Sequence, residues 1–245
     1  MKKFFILATI ATLISGSASS QDFDLNIGNS LRHIPYFYIG VNNLCHDRIP
    51  NPAESLPQRG GKGLEFGFTF LEYGYQVNDF LDLSTSPYIS RSRYWLANAN
   101  YLAQSRDIMS NRRLIITNSD WDGQEVKQGY LRYWSIRIPV NFEIHSANSR
   151  GPWLVLGPEL EYRFGESSIV KTEGSKKRKK VTNDLNTNPL SLNAVLKFGI
   201  DDFGIIARYS FNSLFNEDNP VDVAPFMIGL AFDFSAEFHY SRGPR

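Results

Sequence analysis

The chain has 245 residues, of which 42% are hydrophobic and 21% charged, and its 26 basic and 25 acidic side chains leave a formal net charge of +1. That balance excludes a nucleic-acid binder working through overall basic charge and an acidic disordered chain. The one cysteine excludes an internal disulfide framework and a cysteine-rich metal site, and the mean hydropathy of −0.30 does not suit a polytopic helical membrane protein, which needs several runs of about 20 apolar residues.

Aromatic residues nonetheless reach 14%, with 18 Phe and 12 Tyr. A soluble β-sandwich fits this profile. So does a transmembrane β-barrel, in which alternate residues touch lipid.

The N-terminus reads as a secretory signal peptide over 1–20. Lys2 and Lys3 form the positive start, 4–14 is an apolar run, and Ala18 and Ser20 suit the −3 and −1 positions of a cleavage before Gln21. Loss of Lys2 and Lys3 takes the formal charge from +1 to −1. Residues 21–32 are expected to be a periplasmic N-terminal segment, followed by the barrel domain over 33–234.

Eight segments then alternate with a period of two. In 34–43, Phe37, Ile39 and Val41 are in phase. The connection 44–63 is long and holds Cys45, expected as a loop thiol, and His46. In 64–76, Leu64, Phe66, Phe68 and Phe70 share a face until the phase changes at Leu71, which predicts a bulge or strand end near Glu72. After a short turn at 77–79, segment 80–95 carries Leu81, Leu83, Thr85 and Ile89 in phase, with Pro87 interrupting the ladder. The connection 96–129 is very long. It contains Trp121 as a candidate stacking residue, and Leu114, Ile115 and Ile116, which predict an extension of the hairpin above the membrane.

The second half is cleaner. Segment 130–144 sets Trp134, Ile136, Ile138, Val140, Phe142 and Ile144 against Ser135, Arg137, Asn141 and Glu143. A short turn at 145–152 leads to 153–164, where Leu154, Leu156, Leu160, Tyr162 and Phe164 oppose Glu159, Glu161 and Arg163. The long connection 165–189 carries Lys176, Lys177, Arg178, Lys179 and Lys180, expected at a loop tip, where they could meet anionic lipopolysaccharide phosphates. Segments 190–200 and 203–215 are joined by a minimal turn at 201–202, and a moderate loop at 216–222 leads to 223–234.

Each segment can supply the roughly 9–11 residues of a tilted membrane strand. Short and long connections alternate, as in bacterial outer-membrane barrels, and an even strand number leaves both chain ends on the periplasmic side. The faces opposite the apolar ones carry Glu65, Glu143, Glu159, Glu161 and Asp233 with Arg137, Arg163, Lys197 and Arg208. Charges buried without partners in a soluble core would be expensive. Turning the barrel inside out, apolar face to lipid, removes that conflict. The expected fold is therefore all-β: an eight-stranded, antiparallel, up-and-down transmembrane β-barrel. The interior of a barrel this size is just wide enough for side chains to fill, so the nearly balanced charges are expected to pair and plug it. Tyr94, Trp95, Trp134, Tyr162 and Phe215 are expected as an outer aromatic girdle, and Phe80, Phe142 and Phe203 as a periplasmic one.

On the stretches YWSIRIPVNF (133–142), LGPELEYRF (156–164), 188–215 and 226–234, the chain resembles the PorT-like outer-membrane β-barrel family of Bacteroidota. The resemblance implies a location in the outer membrane and covers most of the mature chain. Its motifs are alternation patterns rather than catalytic signatures, and one branch of the family is implicated in protein secretion. Gly229, Phe232 and Phe234 also resemble the C-terminal signal read by the barrel-assembly machinery, although a tail continues over 235–245.

Barrel enzymes that modify lipid need a nucleophile and a His near the outer rim. Of the four His here, His46 lies on that side, beside Asp47 and without a matched Ser motif. The sequence thus predicts a non-enzymatic barrel whose long outer loops bind or adhere. A narrow channel or secretion component is the rival, and a lipid-modifying enzyme a third. Expected partners are outer-membrane lipid and lipopolysaccharide, the barrel-assembly machinery, and an extracellular ligand or protein. No cofactor, metal or nucleic acid is expected.

Overall fold

A computed structural model describes residues 37–45, 62–78, 80–104, 114–118, 120–145, 151–174, 177–216 and 221–232. The proposed signal peptide, the segment 21–32 and the tail 235–245 lie outside them. The described strands are β1 (Phe37–Cys45), β2 (Leu64–Thr69), β3 (Tyr73–Asn78), β4 (Leu81–Thr85), β5 (Tyr88–Trp95), β6 (Tyr101–Gln104), β7 (Leu114–Thr117), β8 (Val126–Pro139), β9 (Asn141–His145), β10 (Pro152–Thr172), β11 (Arg178–Thr182), β12 (Leu190–Ile200), β13 (Phe203–Ser210) and β14 (Ala224–Phe232).

Several of these strands are halves of one stave. β2 with β3, β4 with β5, and β8 with β9 each continue one another, so the ring has eight staves. Every neighbouring pair is antiparallel, and β14 closes the ring on β1, from Phe37 opposite Phe232 to Cys45 opposite Ala224. Cys45 is thus the last residue of β1 rather than a loop residue.

The interruptions have local causes. Pro87 brings no N–H to the ladder, and its carbonyl accepts instead from the Phe70 N–H at 3.3 Å. The breaks in two neighbouring staves therefore sit level with each other, where the phase change at Leu71 foretold one of them. At Val140, between β8 and β9, the N–H reaches the Pro158 carbonyl at 2.8 Å. Gly157 is needed there, because a Cβ would stand 1.8 Å from the Val140 oxygen.

Period two decides the two surfaces. Phe68, Phe198, Ile138 and Leu196 face outward, each 47–55% exposed, whereas Glu65, Ser135 and Arg137 face inward with 0–2% exposed. A closed ring satisfies backbone hydrogen bonds without a free sheet edge, which lipid demands. With an apolar exterior and a charged interior, the molecule is an integral β-barrel of the bacterial outer membrane.

Beyond the outer end of this band the connections are more ordered than the alternation predicted. β8 begins at Val126 and β10 runs on to Thr172, through stretches expected as loop. A register shift between Phe164 and Ser167, with Gly165 at φ 62°, makes the bulge that lets β10 continue. β11 adds to the upper part of β10, so Arg178, Lys179 and Lys180 lie on a strand and not at a loop tip. β6 and β7 form a separate hairpin within the long second connection. Trp121 and Gln124 exchange backbone bonds across a tight turn made by Asp122 at φ 55° and Gly123 at φ 69°.

An apolar cluster fills the outer mouth. Leu44, Tyr94, Leu96, Leu131 and Tyr133 point inward from the strand ends, and Leu185, Leu214, Phe215, Val221 and Val223 descend from the outer connections. Tyr94 (1% exposed) and Phe215 (2% exposed) therefore belong to this buried cluster and not to the lipid-facing girdle. Tyr94 stacks on Tyr133 with ring centroids 6.0 Å apart. Backbone bonds hold the descending segments: Asn188 N–H to Leu214 O at 2.9 Å, and Leu214 N–H to Val223 O at 2.7 Å.

A candidate functional site: charged lumen and raised outer sheet

The lumen is organised around Arg137, which β8 aims inward between the outward Ile136 and Ile138. Its Nη1 lies 2.6 Å from Glu65 Oε1, its Nη2 2.7 Å from Glu161 Oε1, and its Nε 3.1 Å from the same Glu161 oxygen. Nη1 also donates to the Tyr38 hydroxyl at 2.8 Å, and that hydroxyl donates to Glu65 at 2.9 Å. Arg163 holds the other oxygen of Glu161 at 3.0 Å. Arg208 pairs with Glu65 and stands 2.9 Å from Glu159 Oε1. Tyr88 donates to Glu159, Ser92 to Glu65 at 2.6 Å, and Asn193 to Glu159 at 3.0 Å.

Side chains from seven of the eight staves thus meet at one level. Planar guanidinium forks suit this task, because each engages two carboxylates with fixed geometry. The cavity left among Glu65, Tyr94, Arg137, Glu161, Asn193 and Arg208 is about 10 Å³, room for roughly one water.

The remaining candidates lie nearer the periplasm. Glu143, on β9, faces Asp82 across the β4–β9 pair, and both are buried. Lys197 is 3% exposed, and the carboxylates of Glu159, Glu143 and Glu72 act on it. Asp233 lies outside the described residues. The buried charged residues are Glu65, Asp82, Glu143, Glu159 and Glu161 against Arg137, Arg163, Lys197 and Arg208, an excess of one negative charge. The sequence reading had not singled out Asp82, although the outward phase of Leu81 and Leu83 implied its direction. It also passed over Tyr38, Tyr88, Ser92 and Asn193, which lie on the inward phase and supply the hydroxyl and amide partners.

Above the mouth, the structure brings two separately predicted features together. Lys179 Nζ lies 5.0 Å from the centroid of the Trp121 ring and 3.5 Å from Asp122 Oδ2. Trp121 itself packs beside Tyr101, Val126, Val170 and Val181. Its ring is thus already engaged by the protein's own lysine and apolar side chains. Arg178 turns over Tyr130 at 5.7 Å. Lys177 and Lys180 are exposed, and Lys176 lies outside the described residues.

At the seam, Gly229 is opposite Gly40, and Phe232 lies between Phe37 and Phe203, at 6.3 and 5.5 Å between ring centroids. Phe234 and His46 lie outside the described residues.

No family model and no curated protein matches this chain. Among solved structures it is similar to Ail, the attachment invasion locus protein of Yersinia pestis, at 15% identity and a TM-score of 0.33, over 80% of this chain and 93% of that one. A second structure of Ail, in complex with the heparin analogue sucrose octasulfate, matches at 16% identity and a TM-score of 0.32, over 80% of this chain and 94% of that one.

Proposed function

We propose that this protein is a non-enzymatic outer-membrane barrel with a sealed lumen, which binds or adheres through the sheet raised above its outer mouth. The observation that carries this reading is the double closure of the lumen. An ion-paired layer around Arg137 crosses the middle, and the apolar cluster around Leu185 and Leu214 covers the outer end. A solute crossing the barrel would have to break both. The ordered surface left for a partner is the one built by β6, β7, β10, β11 and the top of β8. Its exposed cations, Lys177, Arg178 and Lys180, suit an anionic partner. The likeness to PorT-like barrels is compatible with this reading at the level of architecture.

The purified full-length barrel in planar bilayers is expected to pass no steady current. A stable single-channel conductance would overturn the sealed lumen and favour the channel or secretion reading. Cells displaying the protein should adhere to an anionic surface more than to a neutral one. The K177E/K180E variant should lose at least fivefold of that difference, and undiminished adhesion would sink the assignment to this sheet.

A further inference from the structure

A cluster of arginines stands on the outside of the barrel, at the outer edge of its apolar band. Arg91 and Arg93 alternate along β5 with the inward Ser90, Ser92 and Tyr94, so their side chains leave the lumen. Arg132 leaves β8 in the same direction, between the buried Leu131 and Tyr133. Arg93 and Arg132 are directly opposite each other in the β5–β8 register, and Arg91 is opposite Trp134 there and Phe66 across the β2–β5 pair. Lower on the same staves come the outward Phe68, Ile89, Ile136 and Ile138.

Aromatic rings hold the guanidinium groups in place. Arg91 lies over Trp134 at 5.0 Å, and Arg93 over Tyr130 at 5.2 Å and Trp95 at 5.6 Å. Carboxylates do not compensate them. Among the described residues, Arg91, Arg93 and Arg132 form no ion pair, and the buried Nε atoms of Arg91 and Arg93 have no hydrogen-bond acceptor. Arg132 Nε donates to the neutral Ser167 hydroxyl at 3.0 Å. Glu166, next to Ser167, turns away to accept from the Leu185 N–H at 2.8 Å and from the Thr187 hydroxyl.

Like charges placed opposite each other across a strand pair are destabilising, and a buried donor without an acceptor costs more still. An arrangement of this kind is relieved by an anion. The anion must satisfy three guanidinium groups at once, which favours a phosphate, with several oxygens and more than one negative charge, over a carboxylate. It must also reach a wall whose lower part is in lipid. At this height that is the headgroup layer of the outer leaflet.

We propose that Arg91, Arg93 and Arg132 form a binding site for the phosphorylated headgroup of an outer-leaflet glycolipid, whose acyl chains lie along Phe66, Ile89 and Ile136. The site is separate from the raised sheet and does not depend on the partner proposed for it.

The test uses the purified full-length barrel in a neutral detergent. It is incubated with diphosphorylated lipid A, or with the same lipid after enzymatic dephosphorylation, and the bound lipid is read by native mass spectrometry. The phosphorylated lipid is expected to be retained, the dephosphorylated one lost, and the R91Q/R93Q/R132Q variant should retain at least tenfold less. Equal retention of the two lipids, or full retention by the variant, would overturn the proposal. So would release of the lipid by millimolar inorganic phosphate, since the site would then serve free anions. Should the triple variant fail to fold, Arg93→Lys keeps the charge and removes the fork; it should weaken retention several-fold, and unchanged retention counts against the site.

Discussion

Two levels of the same barrel obey opposite rules. At mid-membrane, β8 turns Ser135 and Arg137 inward and Ile136 and Ile138 outward. One turn of the pleat higher, it turns Leu131 and Tyr133 inward and Arg132 outward. The period of two is unbroken between them, and only the chemistry placed on each face has changed. In lipid the exterior must be apolar, so polar residues take the interior and must pair there. Above the lipid the exterior meets headgroups and water, and the interior can become an ordinary hydrophobic core. The boundary between these regimes marks the membrane surface on the molecule without any lipid being present.

The comparison can be broken first at its polar level. Arg137→Met leaves Glu65 and Glu161 buried without their shared counter-ion, and should cost about 3–5 kcal/mol in denaturant unfolding of the reconstituted barrel. A loss below about 1 kcal/mol would mean that the lumen is not the dry, paired layer described here. A charge on the lipid side is the next most damaging change. Leu196 lies midway along β12 and faces outward, so Leu196→Arg should destabilise by about 2–4 kcal/mol, and more in a bilayer than in small micelles. Equal cost in both media would place Leu196 away from the centre of the band. The smallest effect is expected in the apolar mouth. Leu214→Ala should cost about 2 kcal/mol, the low end for such truncations, because the descending segment can settle into the space. This loss should show as faster hydrogen exchange around 185 and 214–223, with the barrel staves protected as before.

The contrast between the two regimes also explains what could be read from the sequence. The eight staves were legible because lipid enforces strict alternation, and a phase error such as Leu71 stands out against it. The direction of Arg137, Glu159, Glu161 and Arg208 followed from the same rule. Their partners were harder to see, because Tyr38 and Tyr88 count as aromatic by composition while acting here through their hydroxyls. The outer structure was mostly illegible. Leu185, Leu214, Val221 and Val223 are isolated apolar residues in polar connections, with no period to announce that they converge. Lysine-rich strands such as β11 have weak propensity of their own, and β11 exists because β10 offers it an edge. One local signal was available: Asp122-Gly123 is a strong two-residue hairpin dipeptide, and it does make the turn at Trp121–Gln124. Tyr94 and Phe215 were misassigned to the girdle because an aromatic near a strand end can face either regime.

β10 is 21 residues long. At about 3.3 Å per residue it measures roughly 70 Å, whereas a tilted membrane strand needs about 9–11 residues. Half of it is therefore a mast, with β8 and β11 as its stays. β12, β13 and β14, with 8 to 11 residues each, end close to the bilayer, so the projection rises from one side of the rim only. A barrel built this way has a front and a back. Whatever docks against the mast is held a fixed distance from the cell surface and in a fixed rotational sense, since the mast is rooted in the wall of the barrel and cannot turn independently of it.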